Sequence, residues 1–137
     1  MSLRFIPIAL LLSATAGAAD LIVDIAPLER PQGAVRLALY QRAEHFLQLA
    51  RAMQLRELPA TTGKLSVRFA DLPPGQYAVA AYLDSNQNGE LDENWLGIPS
   101  EPTGFSRNPS TRMGPPDWAD SMVAIGDTPV VLTLRLK

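Results

Sequence analysis

Apolar residues at every second position are the feature that most restricts how this chain can fold. Leu65, Val67 and Phe69 alternate with Lys64, Ser66 and Arg68, which describes a strand with one apolar and one polar face. The same period recurs at Leu21, Val23 and Ile25, at Val35, Leu37 and Leu39, and at Val130, Leu132, Leu134 and Leu136. Residues 76–83 are apolar on both faces and read as a central strand, and 122–125 adds a short one. A strand with one apolar face cannot bury that face alone, so these segments must form sheets stacked against each other.

Six or seven such segments, separated by Pro, Gly, Asp and Asn, predict an all-β chain folded as a single Greek-key β-sandwich of the prealbumin or immunoglobulin type. One segment keeps a different period. Phe46, Leu49, Ala50 and Met53 recur at i, i+3, i+4 and i+7 among good helix formers, which predicts one short helix over 44–57 that bridges two strands and covers an open end of the sandwich. Between Leu72 and Tyr77 the chain reads L-P-P-G-Q-Y. The prolines fix the approach, Gly75 permits the turn, and the Tyr77 hydroxyl can return to the loop backbone as at a sandwich corner.

Residues 84–92 read D-S-N-Q-N-G-E-L-D and space oxygen-bearing side chains as a calcium loop does. Asp84, Asn86 and Asn88 take ligand positions one, three and five, and Gly89 allows the sharp turn at position six. Glu90 then offers its backbone carbonyl, and Asp92 binds directly or through water. Position twelve is Trp95, which has no side-chain oxygen, and the flanks read as strand before the loop and as Gly- and Pro-containing coil after it. The pattern therefore predicts an ion-binding connection between strands rather than a helical hand, with a further oxygen from Glu93 or Glu101. A plain polar hairpin loop, which also favours Asp, Asn and Gly, is the competing reading.

The first nineteen residues bound where such a loop would work. Arg4 precedes the apolar run 5–12 and the small residues 14–19, the layout of a secretory signal peptide cleaved after Ala18 or Ala19, leaving a single domain over 20–137. The run is shorter than the about 20 residues that a bilayer span needs, so no membrane span is expected after cleavage, and the domain is expected in the periplasm or secreted. The sequence has no cysteine, which removes disulfides and acyl anchoring and makes a bound ion a substitute staple. A formal charge of −2, with Lys and Arg scattered, argues against nucleic acid as a partner. His45 is the only histidine and has no nucleophile signature beside it, so no catalytic residue is assigned.

The ordered set formed by residues 72–79, the loop at 84–92 and the run G-I-P-S-E-P-T-G-F-S at 97–106 resembles the exported bacterial family known as domain of unknown function 2141. Gly114-Pro115-Pro116 and Trp118-Ala119-Asp120 extend the resemblance, which is weakest over 44–60. It implies an exported, single-domain β-sandwich of unassigned activity. Within the same run, Pro99, Pro102 and Gly104 fold the chain tightly enough to bring Glu101 back to the loop. There it can close an ion's shell, or anchor nearby backbone amides, Arg107 or Arg112. Trp95, Phe105 and Trp118 are expected to pack over the long connection rather than to receive sugar rings.

The expectation is an exported, calcium-stabilised binding or structural module, not an enzyme, with an envelope protein or a glycan as partner. Two alternatives come with it. A glycan-directed hydrolase would use Asp92 and Glu101 as acid and base across a cleft, although a calcium ion would hold both ionised. A recruitment module for envelope proteins would use an open sheet edge.

Overall fold

The computed structural model describes residues 17–60, 63–88, 90 and 101–137. The expected leader up to residue 16, Gly89, Asp92, Glu93, Trp95 and the 97–100 part of the family motif lie outside the described residues. In chain order the strands are β1 (Ala19–Ile25), β2 (Ala34–Tyr40), β3 (Gln54–Pro59), β4 (Leu65–Leu72), β5 (Gly75–Asp84), β6 (Thr103–Phe105), β7 (Val123–Ile125) and β8 (Val130–Leu134). A single helical turn, α1 (Trp118–Ser121), precedes β7. The smaller sheet has the order β4-β1-β8 and the larger β3-β2-β5-β6, with β7 paired to the start of β5.

The predicted alternation dictates this arrangement. In the smaller sheet Leu21, Val23 and Ile25 lie opposite Phe69, Val67 and Leu65 of antiparallel β4, while β1 runs parallel to β8. Facing them are Val35, Leu37 and Leu39 of β2 and Tyr77, Val79, Ala81 and Leu83 of β5, all in one buried cluster. Each large side chain taken from water into this core contributes roughly 1.5–3 kcal/mol. The turn before β5 is closed as expected, for the Tyr77 hydroxyl donates to the Pro73 carbonyl at 2.6 Å.

Part of the larger sheet's outer face is buried as well. Ala34, Ala38, Tyr40 and Ala78 point away from the core, yet they are buried. Part of the cover is an aromatic run: Phe46 stands edge-on to Tyr40 with ring centres 5.6 Å apart, and Trp118 of α1 stands edge-on to Phe46 at 5.8 Å.

The helix expected over 44–57 is not formed. In its place are two short 3-10 turns, Ala43–His45 and Leu49–Arg51, followed by strand β3. The physical reason is local and tertiary together. Leu47 takes a left-handed conformation (φ 66°) and Phe46 an extended ψ of 131°, which break the helical ladder between the turns. Phe46 gains its aromatic partners by that break, and β3 satisfies its backbone along the whole of β2, from Ala34 opposite Pro59 to Leu39 opposite Gln54. The periodic residues Leu49 and Met53 remain exposed, so the helical stripe had no surface to bury against.

Candidate functional site

Strand β5 ends at Asp84, where the oxygen-rich loop begins. Asp84 is 0% exposed, and its carboxylate is held from two sides. Oδ2 accepts the Arg36 Nε–H at 2.8 Å, and Oδ1 accepts the Asn88 backbone N–H at 3.1 Å. Arg36 stands on β2, with its Cα opposite Tyr82 on one side and Glu57 on the other, and its Nη1 also meets Glu57 Oε2 at 3.0 Å. The hydrogen bond to Asp84 raises the Arg36 guanidinium pKa above its ordinary value, against burial, with the Glu57 charge assisting.

Beyond Asp84 the loop folds by side-chain oxygens taking nearby backbone N–H groups. Asn86 Oδ1 accepts from Asn88 at 3.3 Å, and Asn88 Oδ1 accepts from Glu90 at 2.9 Å. Gln87 turns the chain with a positive φ of 54° and donates its N–H to the Asp84 carbonyl at 3.3 Å. These are Asx-type turns, the local chemistry for which Asp and Asn are suited. Each accepting oxygen carries two lone pairs, so one N–H does not exhaust it as a ligand.

Glu101 is the long-range member of the site. Its Oε2 accepts both the Ser85 N–H at 2.7 Å and the Ser85 hydroxyl at 3.0 Å, which closes the ends of the connection upon each other. Of the anchoring roles open to it, this is the backbone amide; Arg107 donates instead to the Ala119 carbonyl at 2.9 Å. The tight return is reinforced by the Leu83 N–H, which donates to the Pro102 carbonyl at 2.9 Å.

The structure thus brings Asp84, Asn86, Asn88, Glu90 and Glu101 into one connection, while Asp92 lies outside the described residues. Among the described residues no group of three or more His, Cys, Asp or Glu side chains gathers as a metal site. The donors that are present are carboxylate, amide and carbonyl oxygens, which suit a hard cation and not zinc or copper.

Sequence reasoning did not find the roles of two residues around the loop and of one at the end of the family motif. Arg36 is one: an arginine in an alternating strand reads as a solvent-facing residue. Gly33 is another, with φ +82° and a Cα so close to the loop that an added Cβ would lie 2.1 Å from the Asp84 carbonyl oxygen. Ser106, fully buried, accepts the Val79 N–H at 3.0 Å and donates to the Ser121 carbonyl, tying β5 to α1. The G-F-S end of the motif is therefore architectural, since Gly104 also lets β6 cross the chain end: a Cβ there would lie 2.9 Å from Leu136 Cδ1.

Beside the loop, the outer face of the larger sheet forms a groove of about 1170 Å³. Its lining includes the small Ala38 and Ala80, the apolar Leu47, Leu49 and Leu55, and Arg36, Glu57, Glu101 and Phe105. Three of the strands at sheet edges, β8, β6 and β3, are guarded. The Asn108 side chain caps β8 by donating to the Thr133 carbonyl at 2.8 Å and accepting the Arg135 N–H at 2.9 Å. Residue 137 exchanges two backbone hydrogen bonds of 2.9 Å with Thr103, and β3 carries Arg56, Glu57 and Pro59. No helix among the described residues is long and apolar enough to cross a membrane.

No curated protein and no solved structure matches this chain. A family match covers residues 23–133, from the first strand to the last and including the loop, Glu101 and Ser106. The chain belongs to the family described as uncharacterized protein conserved in bacteria (DUF2141).

Proposed function

We propose that this chain is an exported β-sandwich module whose 84–101 connection is steadied by a calcium ion, and that it binds or scaffolds rather than catalyses. The observation that carries the reading is the curl of the loop: Asp84, Asn86 and Asn88 each fold an oxygen back onto an N–H two or four residues ahead. The same alternate Asp and Asn positions are the ones that supply oxygens in a calcium loop. The ligands in this reading are Asp84, Asn86 and Asn88, the Glu90 carbonyl, Asp92 and Glu101. Calcium suits such a mixed oxygen set better than magnesium, which demands a compact octahedron and gives up water reluctantly. Of the two cleavage points expected, the one after Ala18 would leave β1 whole, since Ala19 is buried and paired with Leu72.

The test is thermal unfolding of the mature protein in calcium and in chelator. With a dissociation constant of about 0.1 to 1 mM, as in extracellular modules, 1 mM calcium contributes roughly 0.4 to 1.4 kcal/mol, a shift of a few degrees. Superimposable melting curves at saturating calcium would reject the reading. The hydrolase alternative rests on Asp92 and Glu101; Glu101 borders the groove beside Phe105, and Asp92 lies outside the described residues. It needs a carboxyl free to exchange protons, and Glu101 Oε2 already accepts two hydrogen bonds from Ser85. Release of reducing ends from a glycan panel, lost in Glu101→Gln, would favour the enzyme.

A further inference from the structure

We propose that Arg36 is an internal counter-ion that competes with the bound cation for Asp84 and so sets the affinity of the loop; this rests on the calcium reading above. A carboxylate taken wholly out of water needs a compensating charge. Asp84 is 0% exposed, and the structure supplies that charge through Arg36 Nε at 2.8 Å. The other end of the same guanidinium reaches Glu57, which is 53% exposed at the groove. Arg36 therefore stands between a buried carboxylate and a solvated one.

A cation coordinated by Asp84 would provide the compensation itself and would bring two positive charges next to the guanidinium. Arginine cannot lose its proton to relieve the conflict. Even with fully water-like screening, a unit charge and a divalent ion about 6 Å apart repel by the equivalent of about tenfold in a binding constant, which is the lower limit for a pair whose carboxylate is buried. The relief open to Arg36 is to loosen from Asp84 and lean on Glu57, which stands opposite it on β3. Glu57 thus assists the cation from a distance by drawing Arg36 away. By reciprocity, occupancy of the loop changes how Arg36 is held at the groove.

Calorimetric titration of calcium into the purified mature protein tests this with three variants. Arg36→Met is expected to bind at least about tenfold tighter than wild type, and Arg36→Lys, which keeps the charge, to stay within about threefold. Glu57→Gln is expected to bind about two- to threefold more weakly, because Arg36 then leans fully on Asp84. Arg36→Met binding no tighter than wild type overturns the proposal. Should Arg36→Met fail to fold, Glu57→Gln decides alone, since its side chain is on the exposed rim: affinity unchanged or raised overturns the proposal. A wild-type protein that takes up no calcium overturns the loop reading and this inference together, whereas binding that is equal in all four proteins overturns the inference only.

Discussion

Replacing Asp84 by Asn separates the two roles that the structure gives this carboxylate, ion pairing and ion binding, while leaving its shape intact. The amide keeps one acceptor oxygen but offers two N–H donors where Arg36 Nε and the Asn88 N–H now both donate. One of those donors must lose its partner. Removing one member of a fully buried ion pair costs about 3–5 kcal/mol, and an unsatisfied buried donor about 1–3 kcal/mol. Asp84 is fully buried, but the Arg36 side chain is 29% exposed, so water relieves part of the loss. The expected cost in chelator is about 2–3 kcal/mol, which for a domain of this size lowers the melting temperature by about 10 °C. The assay is circular dichroism melting of wild type and Asp84→Asn, each in chelator and in calcium up to saturation. Wild type should gain a few degrees from calcium and the variant almost none. Asp84→Asn as stable as wild type in chelator would refute the structural pair, and an undiminished calcium increment in the variant would refute Asp84 as a ligand.

Ser106→Ala leaves the buried Val79 N–H and the Ser121 carbonyl without their side-chain partner, and should cost about 2–4 kcal/mol by denaturant titration; a loss below about 1 kcal/mol contradicts the seam described above. Gly104→Ala forces a methyl to within 2.9 Å of Leu136 Cδ1 and 3.0 Å of the Arg135 carbonyl oxygen, so a destabilisation of about 1–3 kcal/mol is expected in the same assay. Tyr77→Phe removes the bond to the Pro73 carbonyl and should cost about 1 kcal/mol at neutral pH. Burial raises the Tyr77 pKa, so its contribution is complete below the unfolded value near pH 10 and is lost as pH climbs through the higher folded value. Wild-type stability should therefore fall towards that of Tyr77→Phe in strongly alkaline buffer, which alkaline melting curves would show.

What the sequence made legible was whatever rests on short-range periodicity. Leu21-Val23-Ile25, Leu65-Val67-Phe69 and Val35-Leu37-Leu39 are core-facing strands because alternate side chains must share a face. The Tyr77 corner and the return of Glu101 to the loop were legible too, since prolines and glycines restrict the path between them. Strand β3 was not, because the spacing of Phe46, Leu49, Ala50 and Met53 imitates a helix, and only the pairing with β2 and the aromatic partners of Phe46 decide against it. Strand β6 is three residues long and centred on Gly104, too short to show a period. Arg36 was hidden for a different reason: its role depends on Asp84, 48 residues away, and no local pattern marks a charged residue as an ion-pair partner rather than a solvated one.

That hidden pair changes how a small domain without cysteine is held together. The base of the loop is fixed by protein groups: Gly33 lies against the Asp84 carbonyl, Arg36 holds its carboxylate, Glu101 holds Ser85 and Pro102 holds Leu83. The Gly33 and Pro102 contacts involve no proposed ligand side chain and so do not depend on a cation. On the calcium reading proposed above, an ion would add to a connection whose base the protein already fixes, and the folding free energy linked to it would be small. Among the described residues, the staple of this cysteine-free chain is consequently the set formed by Arg36, Asp84, Ser85 and Glu101. This is why calcium should raise the melting temperature by only a few degrees, while loss of the Asp84 carboxylate should lower it by more than the ion can restore.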